Sequence, residues 1–318
     1  MPSPDVEAKI ALETYSNYVR AWRLAVGPPP GGGAALDTSY FHVQENLISF
    51  RRLKSQARVT KGLKEAFLRG KLTLKMMESL PVEGLDDLAA TANLWLPVQA
   101  YYAVEGMGIA ALIAMGREPP KTHAKFLVLF SEILVNYLPK PFNALCAGGP
   151  EPGDFDYTGI NARPALVTAQ NQLTSPRLVE GDLLLAKSLS MTRSRHLDEL
   201  FRSERKNGLK PGQKRRNLKL AEKIEKTNRV KPTSIAHLLY RMRLRSNYDD
   251  PSMFVAGFDD GDGAIEHYRY LTELTAAMIE MLGAIVSRGV GAPAMQSLED
   301  SFSLQHKTRN KTADDLPF

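Results

Sequence analysis

The chain has 318 residues, 43% apolar and 24% charged, with a net charge of +6 and one cysteine, Cys146. That balance is ordinary for a folded globular protein and too apolar for wholesale disorder. A lone cysteine excludes an internal disulfide, so a disulfide-stapled secreted scaffold is not expected, and a reducing, cytoplasmic setting is.

The opening MPSPDVEAKI carries acidic residues where a signal peptide needs basic ones, with no apolar core behind them. A helix is expected around Val6 to Val26, then PPPGGG reads as a loop. From Phe50 to Lys75 a second, basic stretch predicts helices with one buried stripe and a charged outer face.

From Asp86 to Met115, the residues Leu88, Ala92, Trp95, Tyr102, Ile109 and Ile113 recur at helical steps and predict a core-facing seam. Pro97 should kink or divide that helix. Its apolar run, Ala103 to Met115, is broken by Glu105 and is shorter than the ~20 residues of a membrane span, so none is expected. Gly106, Gly108 and Ala111 mimic a dinucleotide fingerprint, but inside a helical pattern they serve close approach of a neighbouring helix. Thr122 reads as the N-cap of a helix whose apolar side is Phe126, Leu129, Phe130, Ile133 and Tyr137.

Ala147 to Pro164 is rich in Gly, Pro and Asp and marks a boundary or insertion. Two basic helices follow, one with Leu197, Leu200 and Phe201, the next with Leu220, Ala221 and Ile224 on the apolar side. Ala264, Tyr268, Leu271, Thr275, Met278, Leu282 and Ile285 then form a continuous inner seam, ended by Gly289 and Gly291. With no alternating strand series, the expected fold is all-α. It divides into a helical extension over 1–83, half of a helical bundle over 84–147, and a loop with a basic helical insertion over 148–232. The second half of the bundle follows over 233–292, then a loose polar tail over 293–318.

Charge is concentrated between Thr192 and Lys231, where fourteen basic residues face five acidic ones. Such a field attracts polyanions, and the scarcity of aromatics there points to phosphate contact rather than base stacking. Lys214, Arg215, Arg216, Lys219 and Lys223 are the arm residues expected to bind nucleic acid. No metal or cofactor is expected. None of His42, His123, His196, His237, His267 and His306 pairs with a cysteine or another histidine at ligand spacing. The acidic cluster from Asp249 to Asp262 lacks the spacing of a calcium loop. His123 and His267 read as structural.

After Ala236 the sequence runs AHLLYRMRLRSNYDD. At ~100° per residue Arg241 and Arg245 share one helix face and Arg243 points elsewhere. This segment, Arg243 to Tyr248 above all, together with Tyr101 to His123, resembles the HEPN superfamily of small helical bundles over about a third of the chain. The resemblance implies an RNA-directed, metal-independent RNase of toxin or antiviral-defence type, paired as a homodimer. On that carry-over Arg241 or Arg243 binds the scissile phosphate, and Asn247 stands at the polar position with Tyr248 beside it; Arg245 joins the arm residues as a nucleic-acid contact. Asn247 departs from the pattern, because an amide cannot serve as general acid or base as histidine does. His237, four residues before Arg241, could supply the imidazole instead. The alternative is a non-catalytic helical dimer or partner-binding scaffold, in which these arginines pair with Asp249 and Asp250.

Overall fold

A computed structural model describes residues 16–26, 58–163, 167, 181–206, 217–249 and 261–314, and it is predominantly helical. The elements are α1 (16–26), α2 (Lys61–Glu78), α3 (Asp86–Ala114), α4 (His123–Tyr137), β1 (Leu145–Gly148) and β2 (Phe155–Thr158). They continue with α5 (Gly181–Lys206), α6 (Leu220–Asn228), β3 (Thr233–Ser234), α7 (Ile235–Leu244), α8 (Gly261–Val290) and α9 (Ala292–Asp314).

Helices α2, α3 and α8 make the centre of the bundle. The whole predicted seam of α8, from Ala264 to Ile285, is buried. In α3 the core-facing residues differ from those expected. Leu96, Ala100, Ala103, Val104 and Met107 are buried, while Trp95 is 54% exposed. The helix is enclosed on most of its circumference, so its apolar residues carry little directional signal. Pro97 does not divide it: α3 runs unbroken past the proline, and Ser246 Oγ donates to the nearby Leu94 carbonyl. Helices α3 and α8 are long and apolar enough to cross a membrane by length and composition, yet 72% and 61% of those windows are buried against this chain's own residues.

Close approach explains the small residues of α3. A Cβ on Gly106 would sit 2.8 Å from the Gly70 nitrogen and 3.0 Å from the Ala66 carbonyl oxygen of α2. A Cβ on Gly108 would meet the Phe130 ring of α4 at 2.8 Å. Since backbone cannot yield as a side chain does, Gly106→Ala is expected to cost about 1–3 kcal/mol of stability in urea unfolding.

Three short strands add to the helices expected from the sequence. They form a three-stranded antiparallel sheet in the order β2-β1-β3, with Cys146 opposite Tyr157 on one side and Thr233 on the other. The two residues of β3 lead straight into α7, so the sheet anchors the start of that helix. Arg193 of α5 fastens the same region. It donates from Nε (2.8 Å) and Nη2 (2.5 Å) to the Gly148 carbonyl, and from Nη1 (3.2 Å) to that of Lys231.

Three further expectations change. The helix around Leu197 is a single 26-residue element, α5. On α6, Leu220 and Ile224 are exposed and Thr227 is buried instead. The described part of the tail from 293 is helical: α9 continues to Asp314 and seats Leu298 in the core.

Candidate functional site

Helix α7 begins at Ser234, whose backbone N–H donates to His237 Nδ1 at 3.2 Å. A backbone N–H can only donate, so Nδ1 is an acceptor and the neutral imidazole carries its proton on Nε2. Burial pushes His237 down to about 4, with the nearby His196 and Arg193 adding to the effect. The ring is therefore neutral at physiological pH, and its remaining nitrogen is a donor.

His237 lines a cleft of about 600 Å³. The α7 wall adds Tyr240, Arg241 and Leu244, with Arg245 just beyond the helix. Helix α5 contributes Arg195, His196 and Glu199, and the link from α6 to β3 contributes Arg229, Val230 and Lys231. Ala124, Leu127 and Val128 of α4 add apolar lining. Five cationic side chains thus meet one carboxylate. Arg195 lies 3.4 Å from that carboxylate of Glu199, Arg229 pairs with Glu225 outside the cleft at 2.5 Å, and Arg241 donates to Thr192 Oγ1 at 3.3 Å. The His196 and His237 rings lie nearly parallel, 6.5 Å apart. Desolvation at the wall holds His196 below the usual histidine range, and Arg193 adds to that lowering.

The three arginines of α7 separate as the helical angle requires. Arg241 and Arg245 face the cleft, while Arg243 is 5% exposed on the other side. Its guanidinium donates to Tyr102 Oη at 2.7 Å and lies over the rings of Tyr101, Tyr102 and Tyr240 at 5.4, 5.0 and 5.6 Å. This tyrosine box is incompatible with Arg243 as a phosphate ligand. Asn247 is half-buried and does not line the cleft. The side chains of Tyr248 and Asp249, and all of Asp250, lie outside the described residues, as do Lys214, Arg215 and Arg216. Of the other arm residues, Lys219 is exposed and Lys223 pairs with Glu151 at 3.5 Å, both away from the cleft lining.

Behind Tyr240 sits a group that sequence reasoning read as structural. His123, the first residue of α4, places Nδ1 2.7 Å from Glu105 Oε1 and 2.9 Å from Tyr101 Oη. Its ring is 5.6 Å from that of Tyr240. Burial, and then the Glu105 carboxylate, push the Tyr101 phenol well up. A carboxylate inside an otherwise apolar helix was the signal: Glu105 is buried at 6% exposure and needs a partner. Arg195, His196, Arg229 and Lys231 were visible only as members of a basic run. Comparison with family models, curated proteins and solved structures gives no match to this chain.

Proposed function

We propose that this is a HEPN-like helical protein that binds RNA by its phosphates, through the cleft between α5 and α7, with the basic run from Thr192 to Lys231 adding to the charge that attracts it. The observation that carries the reading is the convergence of Arg195, Arg229, Lys231, Arg241 and Arg245, from three separate segments, on one cleft. Guanidinium forks match phosphate oxygens, and the charge excess favours polyanions over neutral partners.

The test is binding of labelled single-stranded RNA across a salt series. Each phosphate contact contributes about −0.7 to the slope of log affinity against log salt. Arg241→Ala with Arg245→Ala should reduce the steepness by roughly 1.4 and weaken binding about tenfold or more at low salt. Absence of binding at low salt overturns the reading and favours a partner-binding scaffold.

Metal-independent cleavage is the second reading, favoured by His196 in the lining. Asn247 has no part in it and His237 cannot take a proton at its outward nitrogen. RNA left intact after prolonged incubation with the wild-type protein rules this reading out and leaves the binding module.

A further inference from the structure

Helix α3 carries an apolar stripe that the chain's own core does not cover. Leu88, Ala92 and Trp95, spaced by four and three, share one side of the helix, and Leu85 stands just ahead of them. Leu88 and Ala92 are half-buried, while Leu85 and Trp95 are exposed. An indole left half in water is a large apolar area open to a partner. The charge around the stripe has one sign. From Met76 to Gly116 the sequence holds Glu78, Glu83, Asp86, Asp87 and Glu105 and no lysine or arginine. Of these, Glu83, Asp86 and Asp87 are exposed at the start of the helix, beside Leu85 and Leu88.

Helix α6 presents the opposite surface. Its inner side is held by the buried Thr227 and by two ion pairs, Lys223 with Glu151 at 3.5 Å and Lys226 with Glu204 at 3.0 Å. Leu220 and Ile224, one turn apart, are left outward at 62% and 41% exposure, with the exposed Ala221 and Lys219 beside them. This helix lies inside the run from Thr192 to Lys231, where basic residues outnumber acidic ones fourteen to five. Each surface thus has an apolar centre, and the charge around one is opposite to the charge around the other. Neither complements itself: two α3 stripes would bring acid to acid, and two α6 faces base to base.

We infer that the α3 stripe of one copy of this chain docks on the α6 face of a second copy, head to tail, with Trp95 against Leu220 and Ile224. The acidic start of α3 then faces the basic run. Such a contact leaves one unused face at each end, so it closes into a ring or extends, and does not stop at a two-fold pair. Both apolar centres are small, so the association is weak and depends on concentration.

Analytical ultracentrifugation of the full chain, freed of nucleic acid, tests this from micromolar to millimolar concentration. The expected mass rises with concentration and falls as salt is added, because exposed charges are screened beyond ~8 Å at physiological ionic strength. Trp95→Ala, and separately Leu220→Ala with Ile224→Ala, should each weaken association at least about tenfold, the usual scale for a central anchor. Thermal melting of both variants should stay unchanged, since these side chains are exposed. Mixing the two variants separates head-to-tail from two-fold pairing. Each retains one intact face, so the mixture forms a heterodimer with wild-type affinity and grows no further. A protein that stays monomeric at millimolar concentration in low salt overturns the inference. So does association that survives either variant, or a mixture that remains monomeric. Fluorescence gives an independent check, because Trp22, the other tryptophan, is fully buried. Emission should shift to the blue as the copies associate, and an unshifted spectrum would remove Trp95 from the contact.

Discussion

Arg243→Ala is expected to lower the unfolding free energy by about 3–5 kcal/mol, whereas Arg241→Ala and Arg245→Ala should each cost under about 1 kcal/mol. All three arginines belong to the same short stretch of basic sequence, so the contrast comes from location alone. The Arg243 guanidinium is held by the Tyr102 hydroxyl and by the faces of three tyrosines. A desolvated cation over an aromatic ring contributes on the order of 2 kcal/mol, and a hydrogen bond from a charged donor about 1.5–3. Truncation removes these contacts and leaves a cavity between α3 and α7. Urea unfolding of the three variants, beside their RNA affinities, decides the matter. An Arg243→Ala protein of unchanged stability that has lost RNA binding would make Arg243 the phosphate ligand and overturn the assignment.

Acid is expected to weaken the fold well before the carboxylates titrate. Burial pushes His267 and His237 each down to about 4 from a usual 6.5. Above about pH 6.5 both are neutral, folded or unfolded, and contribute no pH dependence. As pH falls below that value the unfolded chain takes up protons that the folded chain refuses, so stability declines until roughly pH 4, where the folded imidazoles protonate too. The shift corresponds to about 2 kcal/mol lost between pH 7 and pH 5 for His267, which is 2% exposed, and to less for the half-buried His237, which solvent screens. His267→Gln should remove the larger part of the slope. A flat urea midpoint between those two pH values would show that neither ring is neutral by burial.

What the sequence made legible follows from how one-sided each element is. Helix α8 has a buried stripe beside exposed positions such as Glu280, so steps of three and four recorded its seam correctly. Helix α3 is surrounded, and with nearly every position apolar the period picked out Trp95, which faces outward. Strands of two to four residues are too short for alternation to register, which hid the sheet. Helical geometry alone separated Arg241 and Arg245 from Arg243. It could not show that Arg195, Arg229 and Lys231 would join them, because those residues arrive through the fold. In the same way Glu105 and His123, eighteen residues apart on different helices, meet only because α3 and α4 pack together. The resemblance placed Asn247 at a catalytic position, but the backbone widens into a π-helical turn from Arg245 to Asp249, and Asn247 is absent from the cleft lining.

Helix α1 has its charged partners almost at the other end of the chain. Arg20 pairs with Glu266, 246 positions later, and Arg23 with Glu273, 250 positions later, both on α8. A ribosome adds about 5–20 residues per second, so α1 waits on the order of 10–50 seconds after its own synthesis before those partners exist. Through that interval Arg20 and Arg23 have no carboxylate to meet, and Tyr18 and Trp22, fully buried in the finished protein, wait in turn for Met191 and Phe142. The nascent chain therefore carries an amphipathic helix with an open apolar face, a natural handle for the chaperones that attend unfinished proteins. Ribosome-bound chains stopped before α8 should be far more susceptible to cleavage beside Trp22 than chains carried through it.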